Sequence, residues 1–414
     1  MFDVQQIRRD FPTISPKDIY LDSVASSLTP QPVVDAIVEY YTKYRANVHR
    51  GHYDLSMKAS EKFEEAIGAI AKFINAKPSE IVITSNCTHA LNEVALTIDF
   101  KPGDEILLST LEHSSNMVPW ARLEKKVGVK TRWYKPGKLG LFDIKEFEKL
   151  LTPRTKLVSL TYVSNVVGTV VPVEQVAELC RSRGILYLID AAQAVPHFKV
   201  DVKKIGCDFL AFSGHKMLGP TGIGVLYVKE EHGESMMPAF LGGGTIETSN
   251  CKCTLIDECN IDDCSFAELP YKWQAGTPPI AATLGMKVAI DYLDKVGFPD
   301  ITKNDDRLMA RAMEGMSSIK HVDVFGPLQS DLRKSIISFN IGRLPAKEVG
   351  RILNEEFKIS VRAGDHCAVG YFKDAQQDEA VPGSVRASFY LYNTEAEVDR
   401  FLNAIERIST VCGG

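Results

Sequence analysis

The segment "AFSGHKMLGPTGIGVLYV" (residues 211–228) sets one lysine, Lys216, between Ser213, His215 and a run of glycines. Three other apolar runs also end on polar side chains. "LVSLTYVSNVVGT" (157–169) carries Asn165, and "ILYLIDAAQAVPH" (185–197) carries Asp190 and, three residues on, Gln193. "IVITSNCTHALN" (81–92) carries Thr88 and His89 ahead of a helical pattern. An amine, a carboxylate, an amide and a hydroxyl-bearing helix start are what pyridoxal phosphate requires. The amine forms a Schiff base with the cofactor aldehyde, and the acid keeps the ring nitrogen protonated so that the ring works as an electron sink. Free N–H groups at a helix start seat the phosphate. Singly, each feature has a plain reading: "SGHK" as a surface turn, an Asp after a strand as a cap. Their joint occurrence favours the cofactor, with Lys216 as its anchor.

For these groups to meet, their apolar runs must be neighbouring strands, because ligands of open α/β sheets sit beyond the strands' carboxyl ends. The runs "EIVIT", "DEILLS", "TKLVSLTYV", "ILYLID", "CDFLAFS" and "GVLYV" read as strands. Several are continuously apolar, as parallel strands covered on both faces should be. Helical spacing lies between many of them, in "EKFEEAIGAIAKFI" and in "VEQVAELCRSRG", whose last glycine suits a C-cap. After "AGTPP" the character changes to a long helix, "AATLGMKVAIDYLDKVG", then pieces such as "KSIISFNI" and "EVDRFLNAIERI". The pattern predicts an α/β fold whose mainly parallel sheet has helices on both faces. A large domain is expected over 21–289, and a smaller α+β domain over 290–414 joined by residues 1–20.

Bulk properties narrow the function. The 414 residues are 45% hydrophobic and 24% charged, enough to bury a large core without disulfide staples. A net charge of −5 disfavours nucleic-acid or anionic-membrane surfaces. The start "MFDVQQIRRDF" has no apolar signal core, and the most apolar stretch is interrupted by Ser, Thr, Asn and Gly, so no membrane span is expected. Nine cysteines, an odd number, suit a reducing cytoplasm.

With those residues in view, the chain resembles, over nearly its whole length, the fold-type I pyridoxal-phosphate enzymes of aminotransferase class V. Within them it is most similar to the cysteine desulfurase and selenocysteine lyase group. The ordered stretches carrying the resemblance are "YLDSVASSLTPQP", "VHRG", "GDEILLSTLEHSSNMVPW", "VSNVVGT", "IDAAQAVPH", "FSGHKMLGPTGIGVLYVK", "GGG", "AGTP", "VRAGDHCA" and "VRASFYLYNTEAEVDR". The resemblance implies a fold-type I transferase with a sheet of the seven-stranded type, and it assigns roles. Lys216 is then the Schiff-base lysine and the proton shuttle at the substrate Cα. Asp190 pairs with the ring nitrogen, Gln193 and Asn165 bond the phenolic oxygen, and His113 of "LEHSSN" stacks on the ring face. Thr88, His89 through its backbone, Ser213 and His215 hold the phosphate. Thr277 of "AGTP" reaches the phosphate of the other subunit, which implies a homodimer with shared sites. Arg386 of "VRASF" clamps the substrate carboxylate, a task suited to a guanidinium fork, with Asn165 and Arg362 as further contacts. Arg362 reads equally as a solvated structural arginine.

Pyridoxal phosphate serves transamination, racemisation and lyase reactions, so the choice of reaction turns on Cys367 in "RAGDHCAVG". It stands where the resembling group has its persulfide cysteine, which attacks the sulfur of bound L-cysteine and leaves alanine. Neighbouring cations raise a thiol's thiolate fraction, and Arg362 and protonated His366 are the expected ones. The implied function is an L-cysteine desulfurase handing sulfur to an acceptor protein such as an iron–sulfur scaffold, for iron–sulfur clusters or thiolated cofactors. Alternatives are a selenocysteine lyase, a C–S lyase, or another class V enzyme for which Cys367 is dispensable. From a different class comes a metal-binding or scaffold protein on a retired enzyme fold.

Three features depart from the group's pattern. Asp365–His366 replaces its usual histidine pair, and the added carboxylate should raise the Cys367 pKa. Tyr53 stands where a histidine is common. The segment "SNCKCTLIDECNIDDCSF" is longer than usual and holds Cys251, Cys253, Cys259 and Cys264. Those thiols read as a metal site, a sulfur relay or incidental cysteines of a surface hairpin; their spacing is not a standard zinc spacing, and no metal is expected.

Overall fold

Apolar runs without a polar face can be satisfied only between two helical layers, and that is where they lie. The structure, a computed structural model, describes residues 2–248, 264–375 and 381–412. After a two-residue strand, β1 (Ile19–Tyr20), come β2 (Ile81–Thr84), β3 (Glu105–Ser109), β4 (Lys130–Tyr134), β5 (Thr155–Thr161), β6 (Leu186–Asp190), β7 (Phe209–Ser213) and β8 (Gly224–Val228). The last seven form one sheet in the order β2-β8-β7-β6-β5-β3-β4. All neighbours are parallel except β8, which runs antiparallel to both β2 and β7. Six of the seven are the apolar runs. The seventh, β4, is "KTRWY" at the sheet edge, largely half-exposed, and it has no apolar run to betray it.

Side chains alternate between two cores. Leu210 and Phe212 of β7 join one cluster with the helices Asp54–Phe73, Val173–Ser182 and Ile280–Val296. Phe209 and Ala211 join the other, with the helices Cys87–Thr97 and Val118–Val127. Phe209, Leu210 and Phe212 are all 0% exposed, and burying each such side chain is worth roughly 1.5–3 kcal/mol.

A short antiparallel pair, β9 (Ile246–Thr248) and β10 (Ser265–Phe266), comes after the main sheet. A second sheet has the order β11-β12-β15-β14, entirely antiparallel, from β11 (Val322–Phe325), β12 (Ile336–Ile341), β14 (Arg362–Gly364) and β15 (Ser384–Ser388). β13 (Ile359–Ser360) pairs instead with β1. A separate core builds this region from the helices Phe298–Ser318, Ala346–Phe357 and Glu395–Cys412, and it includes Ile19 and Leu21. Ile7 and Phe11 belong to the core of the main sheet. The glycine read as a C-cap, Gly184, has φ +66° just past the helix Val173–Ser182. Among the described residues, no helix is long and apolar enough to cross a membrane.

Candidate active site

β5, β6 and β7 are consecutive in the sheet, so the residues just beyond their carboxyl ends share one cavity of about 420 Å³. Lys216, Asp190, Gln193, Asn165, Ser213, His215, Thr88, His113, Arg362, Arg386 and Cys367 all line it. His89 and Thr277 do not: both border a neighbouring cavity.

Lys216 closes a single turn, Gly214–Lys216, directly after β7. The turn is pinned by the Ser27 N–H to the His215 carbonyl (2.9 Å) and the Leu218 N–H to Ser27 Oγ (2.7 Å). Burial lowers the Lys216 pKa, and Asp190 opposes the shift. A lowered pKa enlarges the neutral, nucleophilic fraction of an amine, which condensation with an aldehyde requires. Asp190 is 5% exposed, and its Oδ1 accepts from the Ala192 N–H at 3.0 Å. The same oxygen lies 3.4 Å from Cys87 Sγ. Burial, then Asp190, pushes the Cys87 thiol well above its ordinary value, so it remains a proton donor to that carboxylate. Reading the sequence gave Cys87 of "SNCTHALN" no role; its signal was its place at the first position of a helix.

The helix Cys87–Thr97 is capped by Asn86, whose side chain accepts the His89 N–H at 2.9 Å. The His89 amide thus stays inside its own turn while its ring packs edge-on to Phe240. Ser213 Oγ accepts the Cys87 N–H (2.8 Å), and Thr88 Oγ1 pairs with Ser115 Oγ (2.7 Å). A Cβ at Gly224 would lie 2.5 Å from the Asn86 backbone, so β8 can pass this helix start only with glycine there. His113 Nδ1 accepts the Ser115 N–H at 3.1 Å. Burial, then the Lys216 charge, pulls the His113 pKa to about 4. The ring is therefore neutral, with its proton on Nε2. His215 is likewise pulled to about 4 by burial and by Lys216. Gln193 Nε2 donates to the Val24 carbonyl at 2.9 Å.

At the other end Arg362 and Arg386 face each other across the β14–β15 register, with Asp22 between them. Arg386 is 3% exposed and donates to the Asn165 carbonyl (2.8 Å) and to Asp22 Oδ1 (3.4 Å). Its Nε is buried without a partner. Arg362 is half-exposed and reaches Asp22 at 3.8 Å.

Cys367 is exposed, and its loop is latched through the backbone. Its carbonyl accepts from the Ser114 N–H (2.7 Å) and Oγ (2.9 Å), and its N–H goes to Asp365 Oδ1 (3.0 Å). The preceding carbonyl, of His366, accepts from Asn165 Nδ2 at 2.9 Å. His366 and Cys367 both sit in the left-handed region, with φ 53° and 56°. One expectation is corrected here. His366 is buried, bonded through Nε2 to Ser384 Oγ (3.0 Å), and burial pulls its pKa to about 3, with Arg386 adding to the shift. It is neutral near pH 7 and offers Cys367 no positive charge. The Asp365 carboxylate, for its part, bonds the loop backbone.

The residue before His113, Glu112, is fully buried and unanticipated, held by Ser109 Oγ (2.6 Å) and Asn116 Nδ2 (2.7 Å). Burial pushes its pKa to about 8 against those two hydrogen bonds. Between the ordinary value of 4.5 and about 8, the folded chain holds a proton that the unfolded chain releases, so this group's stabilisation is lost as pH rises through that window. Urea titrations of Glu112→Gln and its parent should show the difference moving towards the variant by up to about 1.4 kcal/mol per pH unit between those limits. Parallel pH profiles would refute it.

Of the four clustered cysteines, Cys251, Cys253 and Cys259 lie outside the described residues; Cys264 is half-buried just before β10.

The model of the family "Aminotransferase class-V" matches residues 19–401. The chain belongs to the aminotransferase class-V family. Among class-V relatives, the probable cysteine desulfurase of Pyrococcus abyssi is 40% identical over 407 residues, covering 98% of this chain and 97% of the relative. The cysteine desulfurase of Haloferax volcanii is 37% identical, covering 98% and 96%. Among solved structures, the apo cysteine desulfurase of Thermococcus onnurineus NA1 is similar with a TM-score of 0.91 at 39% identity, covering 98% of both chains. A cysteine desulfurase of Escherichia coli is similar with a TM-score of 0.86 at 31% identity, again over 98% of both. The class-V cofactor is pyridoxal phosphate, and the cavity fits it: a lysine of lowered pKa, a buried carboxylate beside it, a hydroxyl-lined helix start, and a buried guanidinium N–H left for a substrate carboxylate.

Proposed function

We propose that this protein is a pyridoxal phosphate-dependent L-cysteine desulfurase that moves the substrate sulfur onto Cys367 as a persulfide and releases alanine. One observation carries this reading: an exposed thiol on a latched loop lines the same cavity as Lys216, Asp190 and Arg386. The similarity to relatives that bear the name cysteine desulfurase supports it. The larger unit, 21–289, would hold the cofactor and the smaller, 290–414, the cysteine loop, while residues 1–20 divide between them: Ile7 and Phe11 pack in the main-sheet core and Ile19 in the smaller one.

When bound, the cofactor supplies an electron sink for carbanions at the substrate Cα and Cβ. Lys216 would anchor it covalently and would then carry the Cα proton. Asp190, supported by the Ala192 N–H and the Cys87 thiol, would hold the proton on the ring nitrogen. Gln193 and Asn165 would hold the phenolic oxygen, neutral His113 would cover the ring face, and Thr88, Ser213 and His215 would seat the phosphate, whereas the His89 amide expected there is already committed to Asn86. Arg386, with Arg362 and Asn165, binds the substrate carboxylate. The Cys367 thiolate attacks the substrate sulfur. An S–S bond forms as the Cβ–S bond breaks, the electron pair stays on the substrate carbon, and protons returned to Cβ and Cα complete alanine. Arg386 lies near enough for its charge and the thiolate's to favour each other, and Arg362 lines the same cavity.

The exposure of Cys367 suits delivery to an acceptor protein such as an iron–sulfur scaffold, and a thiol mechanism suits a reducing cytoplasm. Thr277 borders cavities other than the catalytic one. Its place against a phosphate would be supplied by a second copy in a homodimer.

The test is to incubate the protein with cysteine and a reductant and to locate transferred sulfur by peptide mass spectrometry. Alanine with sulfur on the Cys367 peptide is expected. Pyruvate and ammonia would indicate a lyase instead, and turnover of selenocysteine alone a selenocysteine lyase. Arg386→Gln removes a buried charge that contacts substrate. Such a truncation costs about 2–5 kcal/mol, roughly 30- to 5,000-fold in kcat/KM at 1.36 kcal/mol per decade. Steady-state kinetics should show this mainly in KM.

A further inference from the structure

Four successive backbone carbonyls, those of residues 165–168, are each taken by a donor from the smaller sheet or the loop leading into it. Arg386 Nη1 donates to the Asn165 carbonyl at 2.8 Å, and Ser338 Oγ donates to that of Val166. Arg333 Nη2 donates to Val167 at 3.0 Å, and the Lys334 N–H to Gly168 at 2.9 Å. The approach is so close that a Cβ at Gly168 would lie 2.8 Å from the Lys334 carbonyl.

The same segment also meets the cysteine loop. The Asn165 side chain donates to the His366 carbonyl (2.9 Å), and Val166 and Val167 pack in one apolar cluster with Ala368, Tyr371 and Phe372. Arg333 is the unusual member of the clamp. It is 0% exposed, and its guanidinium serves the carbonyls of Val167 and Phe325 (2.7 Å) and the sulfur of Met313 (3.2 Å). Burying a cation carries a large desolvation cost, and an apolar side chain of similar volume would fill the space without it. Its use there is directional: the rigid guanidinium ties the 165–168 segment to the end of strand β11.

We infer that Arg333, assisted by Ser338, is a positioning residue for sulfur transfer. It holds segment 165–168 so that Asn165 fixes the 366–367 backbone and with it the reach of the Cys367 thiol. The kinetic consequence rests on the desulfurase reading; the structural one does not. A misplacement on the order of 1 Å at a reacting group costs about 10²-fold. Arg333→Lys should therefore lower kcat roughly 10- to 100-fold and leave KM for cysteine within about threefold, the signature of lost transition-state geometry.

Hydrogen exchange of the cofactor-loaded protein provides the second readout. The peptide covering 364–372 should exchange faster in Arg333→Lys while peptides from β5 and β6 keep their protection. Ser338→Ala, which removes one donor of the clamp, should show the same pattern more weakly, and it carries the test if the lysine variant does not fold. Unchanged exchange at 364–372, or loss of protection in β5 and β6 in step with it, overturns the inference. If the parent makes no alanine but the loop peptide still loosens selectively, the desulfurase reading fails and the clamp stands.

Discussion

Cys367→Ser will make alanine from cysteine at least roughly 10²-fold more slowly than the parent, a lower bound taken from what one positioned chemical group contributes. The reason is specific to sulfur. A thiol ionises far more readily than a hydroxyl and its thiolate is intrinsically nucleophilic; a serine hydroxyl cannot accept the substrate sulfur as a persulfide. The substitution should be structurally silent, because among the described residues the hydrogen bonds of residue 367 are made by its backbone: the carbonyl to Ser114, the N–H to Asp365. The variant should load pyridoxal phosphate with the parent's absorbance and keep its melting temperature. Full activity on cysteine in Cys367→Ser would remove the persulfide mechanism and leave the C–S lyase and selenocysteine lyase readings in its place.

Lys216→Ala is the second large effect. Borohydride reduction of the loaded parent should attach the cofactor to the Lys216 peptide, and the variant should carry no such label. Alanine formation should fall by about 10²- to 10⁴-fold, the range for loss of a positioned proton-transfer group, with a further loss from weakened cofactor retention. Stability should move the other way or not at all. Burial lowers the Lys216 pKa, so removing the amine removes a desolvated group. A variant that loses activity and unfolds at a much lower temperature would mean that Lys216 is structural. Retained activity together with retained borohydride labelling at another lysine would displace it as the anchor.

Lys216, Asp190 and Asn165 were legible in the sequence because each ends or closely succeeds an apolar strand. Once strands are parallel neighbours, everything at their carboxyl ends is close together. Edge strand β4 was not legible, since a half-exposed "KTRWY" needs no apolar pattern. Cys87 was passed over because nothing local says that the first residue of its helix meets the Asp190 carboxylate, which ends a strand about a hundred residues later. Nor could local sequence report that His366 is neutral. "DHC" looks like a histidine beside a thiol, yet its ring is buried against Ser384 and near Arg386, both from a later strand.

By itself, then, the sequence determined the α/β class and the polar side chains that stand at the strand ends, both of which depend on residue type and short spacing. Only the tertiary structure decided which ionisable groups are charged and what holds the cysteine loop. Desolvation and long-range hydrogen bonds, such as those from Arg333 to Val167 and from Asn165 to His366, come into being when separate parts of the chain pack together.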